Sequence, residues 1–314
     1  MPGQQTPGQA RVIDPVLTTV ARGYQHPDAV GGHLFPDVDV PARGGKVIEF
    51  DKTDFKKFNT VRAPGAKMEE VQFGHVGKDY AINDHGITGK TPIELMEEAS
   101  AVPGSELGKR AATGALNILA LEKEREQAKL ATTAANFDAA HVSALAGNSR
   151  WDNAASDPSQ DIAAGVEKIR SAIGMRPNTA IIGGKVYDKA LKHHPKIIDR
   201  IKHTSRDSVT AEILATLWDI KKVWIGDMIA FDDDGETPED VWGENVVLAY
   251  TQQGTIMDFG QPSFGFTYKL AGTPMVEMPY YKDDVRSWMH PVVVCYKAAI
   301  AGKDAGYLIR DVLN

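Results

Sequence analysis

The 314-residue chain is 42% hydrophobic and 25% charged, ordinary proportions for a soluble globular protein with one large core or two modest ones. Its net charge of −7 argues against a sequence-independent nucleic-acid binder, which needs clustered Lys and Arg to neutralise phosphates. A single cysteine, Cys295, excludes an intramolecular disulfide framework and fits synthesis in a reducing cytoplasm.

The opening MPGQQTPGQA is polar and lacks the charged and apolar blocks of a signal peptide. No run approaches the ~18 apolar residues of a membrane span. The expectation is an intracellularly made soluble protein. Residues 1–104 hold 9 Pro and 13 Gly, against 8 and 16 in the remaining 210, so the first third should be mostly extended. One exception is Asp14 to Gly23. Asp14 can cap, Pro15 suits the first helical position, and Val16, Leu17 and Val20 share a face with no partner in the neighbouring sequence.

Residues 46–73 alternate apolar and charged residues around the turn signal Ala63-Pro64-Gly65-Ala66. A hairpin this polar cannot bury itself, and an isolated hairpin is marginal in water. Phe50, Phe55 and Phe58 therefore predict that it lies on another protein surface.

Ser105 can cap a long helix over 106–131, with Leu107, Ala111, Ala115, Ile118 and Leu119 along one stripe. Its stretch EKEREQAK (122–129) reads as solvated, with Glu122–Arg125 and Glu126–Lys129 as opposite-charge pairs. At about 40 Å such a helix exceeds a small domain's diameter.

Asp157, Pro158 and Gln160 open a helix whose Ile162, Val166, Ile169 and Ile173 face one way, and Gly174 closes it. A strand at 179–182, helices at 185–193, 196–203 and 208–218, and a strand at 221–231 follow. This section predicts α+β or α/β packing around a small sheet. An acidic loop, Asp232 to Asp240, precedes strands at 245–250, 263–270 and 290–301.

The search for chemistry finds no catalytic constellation. Strand, Gly183-Gly184-Lys185 and helix imitate a phosphate cradle. However, the first glycine of that pattern is replaced by Thr179 and its hydroxyl by Val186, so a tight strand-to-helix turn is the better reading. The acidic loop fails as a calcium loop, because Ala230 and Val241 occupy its end-ligand positions. Asp199 and His203, at i,i+4 on a predicted helix, could share a metal or form a local pair, and His193 and His194, adjacent on the chain, cannot chelate together. Cys295, inside Val292 to Tyr296, reads as a buried inert thiol. Glu69-Glu70, Glu97-Glu98 and Asp283-Asp284 read as solvated faces. No catalytic, cofactor or metal site is expected.

The order of features carries more than any motif. DPVLTTVARGYQHPDAVGGHLFPDVDV (14–40), residues 150–202, TAEILATLWDIKKVWIGDMIAF with WGENVVLAYT (210–251), and PSFGFTYKL (262–270) together resemble the tailed-bacteriophage major capsid proteins with the Hong Kong 97 fold. The resemblance spans nearly the whole chain. It implies an α+β fold with an N-terminal arm (1–45), an extended β-hairpin loop (46–90), a peripheral domain (91–150) with spine helix 105–131, an axial domain (151–261), peripheral long strands (262–300) and a C-terminal segment (301–314) returning to the axial domain. It also implies self-assembly into hexamers and pentamers of an icosahedral shell around double-stranded DNA, with a portal and decoration proteins as further partners and no membrane. Inter-subunit contacts would then fall on Phe50, Phe55, Phe58, Val16, Leu17 and Val20.

Some family members carry a long internal scaffold segment before the arm. Here the arm pattern begins by residue 14, so a separate scaffolding protein or prior processing is expected. Lysines of the loop (Lys46, Lys52, Lys56, Lys57, Lys67) are available for the crosslink some members form, but their number is no evidence for it. Two other readings stand beside this one: an encapsulin-type bacterial nanocompartment shell, and a soluble α/β enzyme built on Gly183-Gly184-Lys185 and the acidic cluster.

Overall fold

Asp14 opens the first helix, α1 (Pro15–Gly23), as its side chain accepts the amides of Val16 and Leu17. The computed structural model describes residues 13–49, 76–100, 107–202, 208–231, 235–252 and 262–314. After α1 the chain makes one tight turn at Gly31–His33 and enters strand β1 (Asp37–Val40). Strands β2 (Gly44–Glu49) and β3 (Val76–Ala81) pair antiparallel from Gly44↔Ala81 to Glu49↔Val76, forming the base of the expected hairpin. The turn signal at 63–66, with Phe50, Phe55 and Phe58, lies outside the described residues. Strand β4 (Asn83–Pro92) and helix α2 (Ile93–Ser100), neither of them expected, lead to the 26-residue helix α3 (Leu107–Thr132).

Helix α3 differs from expectation in its buried face. Ala112, Ala115, Leu116 and Leu119 pack inward with Ala21, Val276 and Val292, while Ile118 is 52% exposed. Further along, Glu124, Gln127, Ala128 and Ala131 are all buried. Helical period rather than local polarity decides which residues go inside, so EKEREQAK is not solvated throughout. Glu126 pairs with Lys297 at 2.6 Å rather than with Lys129, whereas the expected Glu122–Arg125 pair is present at 3.1 Å.

The chain continues through β5 (Val142–Ala144) to α4 (Pro158–Ile173). Asp157 accepts the amide of Gln160, and Gly174 ends the helix at φ 72°, a left-handed angle that glycine adopts without a Cβ penalty. Strand β6 (Thr179–Gly183) runs directly into α5 (Gly184–Lys189), followed by α6 (Pro195–Ile201) and α7 (Ala211–Trp218). The single strand expected at 221–231 is two, β7 (Lys222–Gly226) and β8 (Ile229–Phe231), and β8 pairs instead with β9 (Pro238–Asp240). The break falls at Gly226, where a side chain would overlap the ring of Trp242. Strands β10 (Val246–Ala249), β11 (Gly265–Leu270), β12 (Met275–Val276), β13 (Tyr280–Lys282), β14 (Ser287–Ile300) and β15 (Gly306–Arg310) complete the order.

Two sheets organise these elements. In one, β14 is the common partner: β4 pairs along ten of its residues, while β11, β12 and β13 share its other edge and β1 adds parallel to β11. Helix α3 packs on this sheet. The second sheet has the order β5-β15-β10-β6-β7, mixed parallel and antiparallel. Every residue of β6 and β10 is buried, which explains their unbroken apolar runs. The largest core surrounds this second sheet and includes Trp151, Trp242, Phe264 and, from the segment after α1, Leu34 and Phe35. Among the described residues no helix is long and apolar enough to cross a membrane.

Candidate assembly site

Helix α1 is held by its own chain along one face, and the residues after it enter the core. From α1, Ala21 is buried and Leu17 packs beside it against α3 and Val276. Thr18 and Val276 exchange hydrogen bonds, Oγ1 to carbonyl at 3.3 Å and amide to Oγ1 at 3.0 Å, and the Asp14 amide donates to the same carbonyl at 3.1 Å. The partner that sequence neighbours could not supply thus lies 258 residues downstream of Thr18. Val16 and Val20 face outward, 64% and 47% exposed. Leu17 is directed into the chain's own body, and the other two residues of the stripe are not.

The turn at Gly31 is pinned more firmly. Glu124, only 1% exposed, receives the amides of Val30 at 3.0 Å and Gly31 at 2.8 Å and the indole N–H of Trp242 at 2.8 Å, all on Oε1. One side chain therefore joins α3, the arm and the segment between β9 and β10. A Cβ on Gly31 would overlap Gln127 Oε1 and come within 2.9 Å of Glu124 Oε2, so only glycine lets the backbone approach. Gln127 in turn donates to Thr267 Oγ1 at 2.9 Å, and Thr267 donates to the Phe35 carbonyl at 3.1 Å. Burial pushes the Glu124 carboxyl up from its ordinary range, with the Trp242 and amide N–H groups pulling the other way. Burial, then the nearby Lys222, lowers His33. Sequence reasoning missed Glu124; the small apolar Ala128 and Ala131, one and two helical turns further along its face, were the available signal.

Among the described residues, none of the chemical candidates is assembled into a reactive site. At the Gly183-Gly184-Lys185 turn, a Cβ on Gly183 would overlap the Gly243 carbonyl and one on Gly184 would overlap Asp227 Oδ1. These glycines answer to close backbone packing, and Lys185 is engaged by Asp240 at 2.6 Å. Asp199 pairs with Lys202 at 2.5 Å; His203 and the acidic residues 232–234 lie outside the described residues. His194 is buried, 3.2 Å from Ser156 Oγ, and burial lowers its pKa. Cys295 is fully buried in β14. Asp284 pairs with Lys282 at 3.1 Å. Among the described residues, no group of three or more His, Cys, Asp or Glu is placed to hold a metal ion.

No family model matches the chain. A major capsid protein of Burkholderia phage BcepMu is 33% identical over 310 residues, covering 96% of this chain and 97% of that protein. A phage-related protein from Bordetella bronchiseptica has a crystal structure that superposes with a TM-score of 0.83 at 38% identity, covering 97% of this chain and 99% of that one. An encapsulin from Synechococcus elongatus shares the fold at a TM-score of 0.52 and 9% identity, covering 98% of this chain and 91% of that one. Fold alone links the chain to the encapsulin, whereas sequence along nearly its full length links it to the phage protein. With a major capsid protein 33% identical along nearly the full length of both chains, and the fold to match, the chain belongs to the major capsid proteins of tailed bacteriophages, structural shell proteins of the Hong Kong 97-like fold.

Proposed function

We propose that copies of this chain assemble as hexamers and pentamers of an icosahedral head enclosing double-stranded DNA. The arm (1–45) and extended loop (46–90) lie across neighbouring subunits in this arrangement. Residues 151–261 and 301–314 form the axial domain, and residues 91–150 and 262–300 the peripheral domain. The observation that carries the reading is the division of α1: Leu17 and Ala21 anchor it to its own subunit, while Val16 and Val20 remain on the outside. Burying a few thousand Å² per subunit at about 25 cal/mol/Å² gives a gross gain of tens of kcal/mol. Ordering and immobilisation offset much of it, so single contacts stay weak enough for errors to anneal while the closed shell persists.

The acidic balance of the chain suits a container. A wall that bound phosphates tightly would hinder DNA release. A scaffolding protein, a portal and decoration proteins complete the head in this reading, which is built in the host cytoplasm and ends in the virion. Electron microscopy and sedimentation of the expressed chain, with and without the neighbouring phage genes, test it. Shells that protect DNA from nuclease support the head; shells holding a protein cargo would favour the nanocompartment; a chain that sediments only as a small oligomer at high concentration overturns both.

A further inference from the structure

We propose that the outward face of the β8–β9 hairpin receives the extended loop of a neighbouring copy, the loop's phenylalanines lying on Ile229 and Phe231 and its lysines against the hairpin's acids. This docking rests on the reading that the loop lies across a neighbour, and it fixes where the loop lands. Strands β8 and β9 form a two-stranded sheet of their own, in the register Ile229↔Asp240, Ala230↔Glu239 and Phe231↔Pro238. Side chains directly opposite in an antiparallel pair share a face, and neighbours along a strand alternate. Ala230 turns inward, 6% exposed, so the other face carries Ile229, Phe231 and Pro238, all of them exposed and Phe231 to 62%. A two-stranded sheet is marginal without a surface against its apolar face. Among the described residues, the chain itself leaves this face in solvent.

Charge selects the occupant. From Asp232 to Asp240 the sequence has six acids, Asp232, Asp233, Asp234, Glu236, Glu239 and Asp240, and no Lys or Arg. Asp240 is paired with Lys185 at 2.6 Å, whereas Glu236 and Glu239 are exposed. On α3, across the adjoining cleft, Glu122 pairs with Arg125 and Glu126 with Lys297, which leaves Lys129 as the one further cation among the described residues that line it. The hairpin is thus an apolar strip with an acidic rim.

The loop has the opposite build. From Lys52 to Lys67 it holds Lys52, Lys56, Lys57, Arg62 and Lys67 against one acid, Asp54, with Asp51, Glu69 and Glu70 just outside that stretch. Phe55 and Phe58 bracket Lys56 and Lys57. Apolar contact at the centre with opposite charges around it is the anatomy of a specific protein interface. The chain's other dense basic stretch, Lys185 to Lys202, brings its own acids: Lys192 pairs with Asp188, Lys196 with Asp157 and Lys202 with Asp199.

Carbodiimide coupling of the associated full-length chain, half of it labelled with heavy nitrogen, reads the contact by mass spectrometry of the joined peptides. The reagent links a lysine to a carboxylate only where the two touch, and Lys185 with Asp240 is the internal reference. The expected products join a lysine between 52 and 67 to Glu236 or Glu239, with one heavy and one light peptide in a share of them. Joined peptides of a single label throughout, which place each loop on its own chain, overturn the docking, as does reference coupling with no loop-to-hairpin product.

Charge exchange tests the same contact through particles. Glu236→Lys with Glu239→Lys, and separately Lys56→Glu with Lys57→Glu, should each lower particle yield about tenfold or more, because like charges then meet. The chain carrying all four changes should recover to within about twofold of wild type, the coupling that a double-mutant cycle isolates. Calorimetry follows the subunit throughout. Normal particles from either pair, or no recovery in the fourfold variant, overturn the docking alone, the latter by giving hairpin and loop different partners. A wild type that stays monomeric at high concentration overturns shell formation itself, and the docking with it.

Discussion

The rings of His33 and Trp224 lie face to face, with centroids 3.7 Å apart and planes within 5°. Trp224 belongs to β7, the outer strand of the five-stranded sheet, and Lys222 on the same strand sits 5.4 Å from the indole centroid. The stack ties the turn after α1 to the edge of that sheet, as Leu34 and Phe35 tie the following residues to its core. Replacing His33 with Ala should cost about 1 kcal/mol, the usual worth of an aromatic pair beyond its buried area. Denaturant unfolding of the two chains side by side measures it; equal midpoints would show that the stack contributes nothing.

Stability should decline as pH falls from about 7.5 toward 5. Burial lowers His33, His194 and His290 below the ordinary imidazole value, and neither ring nitrogen of His290 has a hydrogen-bond partner among the described residues. The unfolded chain therefore takes up protons at a pH where these folded rings stay neutral. Their contribution is present above the ordinary value and is lost as pH drops through the folded ones. Melting temperature recorded against pH checks this. His290→Met should flatten part of the slope, and an unchanged slope would remove His290 from the explanation.

Gly31→Ala should detach the arm. The added methyl meets Gln127 Oε1 and Glu124 Oε2, and neither can retreat without breaking a buried hydrogen bond. A loss of more than about 2 kcal/mol is expected. Limited trypsin digestion should then cut at Arg22 while the body of the chain remains intact. A variant that resists cleavage like the wild type would mean that the backbone can shift aside.

Substitutions on α1 should separate folding from assembly. Leu17→Asp places a charge against α3 and Val276 and should destabilise the subunit by about 2–3 kcal/mol. Val16→Asp with Val20→Asp, on the exposed face, should leave subunit melting within about 0.5 kcal/mol of wild type and lower the yield of particles. The same division is expected for Phe55→Asp with Phe58→Asp in the loop. Light scattering counts particles and calorimetry follows the subunit. Normal particles from either double variant would refute the assigned contacts.

Local rules made much of this fold readable. Asp14, Asp157 and Gly174 cap and terminate helices as their chemistry requires, and the apolar run at 179–182 is a buried strand. What escaped depends on distant partners. Nothing near Leu17 in sequence indicates Val276, and Glu124 looks solvated until Gly31 and Trp242 are brought over it. Strand β4 hid because every residue in it except Ile87 is polar, glycine or proline, and only its pairing with β14 makes it a strand. On α3, alanines on several faces left the position of the stripe open until tertiary packing selected Leu116 over Ile118.

The placement of β15 between β5 and β10 bears on how the coat is made. Of the five strands in that sheet it is the last to leave the ribosome, yet it occupies an inner position. Until it arrives, β5 has no neighbour and β10 keeps one side open. A nascent chain interrupted before residue 306 would carry exposed backbone edges and a core without Leu308 and Ile309. Closure of the body thus waits on the last strand to be made.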